Sequence, residues 1–88
     1  MNTLSISELL CYRIRTAPSN KQLRTPLALQ NAERTGSLKT AIHSAVRDIE
    51  AMGEGAAFLI EHYSDAYGWT TVHCGEVVDG RYVPRNNF

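Results

Sequence analysis

One amphipathic segment, residues 37–52, constrains the fold of this chain more than any other feature of its sequence. Its apolar residues recur at steps of three and four, which places them on one stripe of an α-helix. They are Leu38, Ala41, Ile42, Ala45, Val46, Ile49 and Met52. Ser37 precedes the stripe as an N-cap, and Gly53 follows it where a left-handed C-terminal cap favours a residue without Cβ. The sequence therefore predicts a helix that lies on a core rather than inside one.

Downstream of this helix the pattern changes to a period of two. Residues 58–63 alternate as in a half-buried strand, and Ser64–Gly68 supplies a turn. This register puts Phe58 opposite Cys74 and Ile60 opposite Val72 on one side of the sheet. The other side then shows Leu59, Glu61, Tyr63, Trp69, Thr71 and His73. We expect a bulge at Gly75, which resets the alternation so that Val77 faces inward.

The end of the chain predicts a hairpin. Residues 69–78 are rich in Thr, Val and aromatic residues, which favour strands. Asp79-Gly80 follows, and a type I′ turn needs a positive φ at both of its central residues. Residues 81–83 return as a short strand, which Pro84 ends or marks as a sheet edge.

The N-terminal third allows two interpretations. Residues 10–15 alternate as a strand, and residues 23–29 suit an edge strand interrupted by Pro26, with residues 18–21 as the turn between them. Alternatively, Ser5 and Glu8 form a capping box for a helix, and Thr25-Pro26 opens another that runs to Gly36. We favour the strand pair. The prediction is an α+β fold in the order β-β-α-β-β-β, with a small antiparallel sheet packed on one main helix and one sheet face free.

Composition narrows the class of protein. The chain has 88 residues, 43% hydrophobic and 20% charged, which indicates one globular domain over residues 1–88. Two cysteines, Cys11 and Cys74, are too few for a disulfide-stapled secreted scaffold. The longest apolar run has five residues, too few to span a membrane or form a signal peptide. We therefore expect a cytoplasmic protein.

Charge is balanced overall but unevenly distributed. Residues 1–47 contain seven basic and two acidic residues, whereas residues 48–80 contain seven acidic residues and no Lys or Arg. Arg13 and Arg15 are expected to pair with Glu61 or Glu76 across strands. The alternative is a molecule with a basic and an acidic end, oriented toward a charged protein surface.

Residue chemistry gives little indication of an enzyme. His73 and Cys74 are adjacent, but neighbours on a strand point to opposite faces, so they cannot act together as base and nucleophile. The histidines and cysteines lack the close pairs typical of zinc sites. We predict no catalytic residue, no metal and no cofactor.

Exposed aromatic and charged residues give the best candidate for a binding surface. The predicted partner-binding residues are Trp69, Tyr63, Tyr67, His73, Arg13, Arg15 and Glu61. Ordinary cross-strand packing is the alternative explanation. A protein is the expected partner, because the acidic run over residues 48–80 would repel phosphates. Two other hypotheses are a single-stranded nucleic-acid binder that uses Tyr12 as well, and a phage component that self-associates through a sheet edge.

The order of these elements resembles that of some small phage-encoded anti-CRISPR proteins. The resemblance covers residues 10–83: a strand pair, the single helix, a strand, a turn with Trp69 and the closing hairpin at Asp79-Gly80. It implies a stoichiometric inhibitor, a monomer or homodimer in the bacterial host cell, that binds a CRISPR-Cas effector or another defence complex. Neutral net charge departs from the acidic, DNA-mimicking variety.

Overall fold

Five strands form one antiparallel sheet in the computed structural model, which describes residues 10–88. The strands are β1 (Tyr12–Ala17), β2 (Glu33–Thr35), β3 (Ala57–Ser64), β4 (Gly68–Val78) and β5 (Arg81–Arg85). Two α-helices, α1 (Pro26–Gln30) and α2 (Leu38–Met52), accompany them, with a 3₁₀ turn at Asn20–Gln22. The sheet order is β2-β1-β3-β4-β5, and α2 packs on one face. The predicted α+β architecture, an antiparallel sheet with one main helix, is confirmed.

Helix α2 begins and ends where the sequence indicates. The Ser37 Oγ accepts a hydrogen bond from the Thr40 amide, and Gly53 follows the last turn with a φ of +105°. Ala41, Ala45 and Ile49 are fully buried. The small side chains at two of these positions let the helix backbone approach the sheet closely.

The N-terminal third combines both interpretations. Strand β1 is confirmed, but the second strand is not formed by residues 23–29. There the Thr25 hydroxyl accepts from the Ala28 amide and Pro26 occupies the first helical position, so this segment forms α1. Strand β2 follows α1 and pairs with β1 at the sheet edge. The predicted capping box at Ser5 and Glu8 lies outside the described residues.

The observed register between β3 and β4 agrees with the predicted register only near the turn. Tyr63 pairs with Trp69 as expected, but the ladder shifts between Ile60 and Glu61, opposite Val72. The predicted pairing of Phe58 with Cys74 is therefore wrong, and Phe58 pairs with Gly75 instead. The bulge lies three residues earlier than predicted. Consequently His73 moves to the helix face, and Leu59 and Cys74 share the opposite face.

Gly75 has a different role from the predicted bulge. It stays within the ladder, between Phe58 on β3 and Pro84 on β5. A Cβ at Gly75 would collide with the ring of Tyr82, which lies directly over this position. The residue is small because an aromatic ring covers it.

The closing hairpin is confirmed. Asp79 and Gly80 have φ angles of +55° and +79°, as a type I′ turn requires. The two Glu54 carboxylate oxygens accept hydrogen bonds from the backbone amides of Asp79 and Gly80, each at 3.0 Å. Pro84 lies within β5, which is an edge strand as expected.

Both faces of the sheet carry apolar clusters. On the helix side, Ile14, Phe58, Ile60 and Val77 pack against α2. On the opposite side lies a smaller cluster of Ala17, Leu23, Ala57, Leu59 and Cys74, with Phe88 packed against it. The expectation that this second face is free is therefore wrong at one end, where Leu23 and Phe88 cover it. Helices long and apolar enough to cross a membrane are absent from residues 10–88.

Candidate functional site

The remaining part of the sheet face opposite α2 carries a group of aromatic and charged side chains. Alternation along each strand brings them to one side. Arg13 on β1 lies between Arg34 on β2 and Glu61 on β3, and Tyr63 on β3 pairs with Trp69 on β4. We call these five residues the arginine–tryptophan cluster.

Trp69 lies against two guanidinium groups in this cluster. The Cζ atom of Arg13 is 4.2 Å from the centroid of the Trp69 ring, and that of Arg34 is 4.8 Å away. The Tyr63 ring lies beside the Trp69 ring, with a centroid separation of 5.4 Å. Cation–π contacts of this kind favour a fixed arrangement of all three side-chain types. Trp69, Tyr63 and Arg34 are half-buried, so each still presents surface to solvent.

Glu61 neutralises part of this positive charge. It is only 5% exposed, and its Oε1 accepts hydrogen bonds from the Nε atoms of Arg13 at 3.0 Å and Arg15 at 2.7 Å. These contacts confirm the predicted cross-strand pairing of both arginines. Glu76 pairs instead with Arg85, at 2.7 Å. A carboxylate that binds two arginines holds their guanidinium groups in one geometry.

The face as a whole is positively charged. Strand pairing and alternation place five arginines and two glutamates on it, an excess of three positive charges: Arg13, Arg15, Arg34, Arg81, Arg85, Glu61 and Glu76. The other five acidic residues of the run over residues 48–80 belong to α2, the loop between α2 and β3, the β3–β4 turn and the β4–β5 turn. Of the seven acidic residues in this run, only Glu61 and Glu76 therefore lie on this face.

The predicted partner-binding residues are only partly brought together. Tyr67 lies in the β3–β4 turn, outside the cluster, and is 82% exposed. Arg15 contacts the cluster through its ion pair with Glu61, but its side chain is only 11% exposed. His73 faces α2, where its Nε2 lies 2.6 Å from the Tyr82 hydroxyl and its ring packs on Phe58. Its predicted place on the open face is wrong because the bulge precedes it.

Sequence reasoning missed Arg34. Its position depends on β2, which has only three residues and therefore no periodicity that could reveal it. One indirect indication of this position was present in the sequence. Residues 12–17 favour a strand, and such a strand requires another strand beside its outer edge, which is where β2 lies.

Cys74 lies in the small apolar cluster on the same face. Burial raises the pKa of its thiol, an effect that the positive charge of Arg24 partly opposes. The Sγ donates to the backbone carbonyl of Arg85 at 3.2 Å. His73 and Cys74 point to opposite faces, as the sequence predicts. Across residues 10–88, no three His, Cys, Asp or Glu side chains are close enough to share a metal ion.

Comparison with protein-family models, curated proteins and solved structures finds no match to this chain. The chemistry of the arginine–tryptophan cluster is therefore the basis for assigning a function. Its residues offer stacking surfaces and fixed positive charge.

Proposed function

We propose that this protein is a binding module that docks on another protein through the arginine–tryptophan cluster. The observation that supports this proposal is the contact of the Trp69 ring with the guanidinium groups of both Arg13 and Arg34. Trp, Tyr and Arg are the residue types that dominate binding energy at protein interfaces. Because these side chains already hold one another in place, little conformational entropy is lost when a partner binds.

Charge defines the chemistry of the partner. The face has three positive charges in excess, so an acidic protein surface complements it. Tyr67, exposed in the adjacent β3–β4 turn, extends the aromatic surface beyond the cluster. The partner is expected to place acidic side chains beside Arg34 and apolar or aromatic groups against Trp69 and Tyr63.

The order of elements supports a more specific proposal. It resembles that of small phage-encoded anti-CRISPR proteins, which implies a stoichiometric inhibitor of a bacterial defence complex. Such an inhibitor needs a rigid docking surface, and the sheet supplies one. We therefore propose a CRISPR-Cas effector of the bacterial host as the partner.

A single-stranded nucleic acid is a less suitable ligand for this face. Glu61 holds Arg13 and Arg15, which leaves their charges partly neutralised. Tyr12 lies on the helix side, where its ring packs on His62 at 4.9 Å, so it offers no stacking surface beside the arginines. Binding to phosphates would weaken steeply as salt concentration rises, and that dependence distinguishes the two ligands.

The proposal is tested with Trp69→Ala and Arg34→Ala, and with Arg47→Ala as a matched control. Arg47 lies on α2, away from the cluster, and its side chain is 75% exposed. Binding to purified CRISPR-Cas effector complexes is measured by calorimetry, and circular dichroism checks that each variant folds. We expect the two cluster variants to lose about tenfold or more in affinity and the control to bind as the wild type does.

Expression of the same variants in bacteria tests the inhibitory function. The wild-type protein should restore transformation by a plasmid that the host CRISPR-Cas system targets, and Trp69→Ala should not. Equal restoration by Trp69→Ala and Arg34→Ala would contradict docking through the cluster. Binding to single-stranded DNA instead of protein, with a steep salt dependence, would favour the nucleic-acid hypothesis.

A further inference from the structure

A groove lies beside the end of β1 that β2 does not cover. β2 pairs with β1 only from Tyr12 to Ile14, so residues 15–17 have no outer strand within residues 10–88. Helix α1 packs beside this end of β1, and the last turn of α2 lies next to it. The groove between these three elements has a volume of about 530 Å³, and we call it the α1 groove. Its lining includes Thr16, Ala17, Leu27, Ala28, Asn31 and Met52.

Two exposed apolar side chains line the α1 groove. Leu27 on α1 is 65% exposed, and Met52 at the end of α2 is 47% exposed. Ala17 and Ala28, which also line the groove, are almost fully buried. A ligand in the groove would remove Leu27 and Met52 from water, which favours binding through the hydrophobic effect. The unbranched Met52 side chain can adapt to the shape of that ligand.

The lining of the α1 groove is uncharged. No Asp, Glu, Lys, Arg or His within residues 10–88 lines it. Other depressions of the surface differ in this respect, because Lys21 and Arg24 line one and Arg47 and Glu50 line another. A charged ligand would lose hydration in the α1 groove without gaining an oppositely charged partner. The groove therefore favours a neutral ligand.

The hydrogen-bonding groups that line the α1 groove are neutral as well. The Cys11 carbonyl accepts a hydrogen bond from the Tyr63 amide, so the backbone groups of Cys11 point toward β3. Alternation along an antiparallel strand then points the backbone N–H and C=O of Thr16 to the outer side, beyond the end of β2. Together with the side-chain amides of Gln22 and Asn31, these groups can donate to and accept from a ligand.

We propose that the α1 groove binds a neutral, mainly apolar small molecule that carries at least one hydrogen-bonding group. Its volume lies within the range of about 300–1,000 Å³ that is typical of small-molecule sites, and apolar walls with a few polar groups are their usual lining. The groove is too small to supply the roughly 800 Å² that each partner buries in a standard protein interface.

The α1 groove is separate from the arginine–tryptophan cluster. It lies at the end of β1 where Ala17 pairs with Ala57 of β3. The cluster lies toward the other end of β3, where Tyr63 pairs with Trp69. Binding in the groove is therefore independent of the proposed docking function, and either proposal can fail without the other.

Fluorescence titration with N-phenylnaphthylamine tests the proposal. This probe is neutral, consists of two aromatic groups joined by one N–H, and fluoresces strongly only in apolar surroundings. Naphthylmethanol and naphthoate then compete with it at neutral pH. They share one ring system but differ in charge, so the neutral alcohol should displace the probe at a concentration at least about tenfold lower than the carboxylate.

Leu27→Ala should weaken binding of the probe roughly tenfold, because it removes apolar surface that contacts the ligand. Met52→Ala should weaken it in the same way from the other helix. Leu29→Ala is the matched control, because Leu29 lies on α1 and is 43% exposed but does not line the groove. Urea denaturation checks that the variants keep the stability of the wild type.

Amide NMR spectra of the wild type locate the bound probe. Signals of residues 16–18, 25–31 and 52 should move during the titration, while those of Tyr63 and Trp69 stay unchanged. A wild type that does not bind the probe would overturn the proposal, as would equal binding by the Leu27→Ala and Leu29→Ala variants. Displacement by naphthoate as readily as by naphthylmethanol would overturn the preference for a neutral ligand.

Discussion

Glu61 is the charged residue on which the geometry of the open sheet face depends. Its carboxylate is almost fully buried and accepts hydrogen bonds from Arg13 and Arg15, whose side chains are 15% and 11% exposed. Without it, two guanidinium groups would be left close together in a partly dry environment. The sequence predicted this contact, because alternation on neighbouring strands brings these residues to one side.

Replacing Glu61 with Gln should therefore destabilise the fold by about 3 kcal/mol, the usual effect of removing one partner of a buried ion pair. Glu76→Gln is the matched control, because Glu76 binds Arg85, whose side chain is 40% exposed. Its effect should stay below about 1 kcal/mol. Urea denaturation at neutral pH measures both values. Equal destabilisation by the two substitutions would contradict the special position of Glu61.

Cys74 should make the stability of the protein depend on alkaline pH. Burial raises the pKa of its thiol, so the folded state holds the proton more tightly than the unfolded state does. The free energy of unfolding should therefore fall as pH rises above about 8.5, the ordinary pKa of a cysteine. The pKa of Tyr82 is also raised, by burial and then by Cys74, which extends the decrease to higher pH.

Urea denaturation between pH 7 and pH 10 measures this dependence. Cys74→Ala should reduce it, whereas Cys11→Ala, which keeps the buried thiol, should not. If the free energy of unfolding depends on pH in the same way in the Cys74→Ala variant and in the wild type, groups other than the Cys74 thiol cause the dependence.

At the scale of elements, the sequence predicted those parts that local chemistry determines. The cap at Ser37, the stripe along α2 and the turn at Asp79-Gly80 each act within a few residues, and all three are confirmed. Strand β2 was placed wrongly because three residues carry no period and Thr25 caps α1 instead. The bulge at Val72 was misplaced because it depends on packing between strands.

Gly75→Ala tests the reason that Gly75 remains in the ladder. The added methyl group would collide with the Tyr82 ring and displace it from Phe58 and His73. We expect destabilisation of about 1–3 kcal/mol, as for other overpacked sites. A double-mutant cycle with Tyr82→Ala measures the coupling: the cost of Gly75→Ala should largely disappear once the ring is absent. An unchanged cost would locate the strain elsewhere.

At the scale of the whole molecule, α2 covers one face of the sheet. The opposite face is covered by the second cluster at one end and is open at the other end. Sequence periodicity predicted the helix-side core but not the second cluster, because residues 57–60 are all fully buried and do not alternate in exposure. The candidate site was also predicted only in part. Arg13, Glu61, Tyr63 and Trp69 follow from alternation, whereas Arg34 and the true position of His73 depend on contacts between distant segments.

Leu23→Ala tests whether the cluster on the open face is part of the cooperative core. Leu23 is 1% exposed and packs on Leu59 and Cys74, so its truncation should cost about 2–5 kcal/mol. Leu27→Ala is the matched control: Leu27 is 65% exposed, and its loss should change stability by less than about 0.5 kcal/mol. Since a chain of this size is stable by only about 5 kcal/mol, Leu23→Ala should show one transition at much lower urea. A separate early transition confined to this face would show that the two clusters unfold independently.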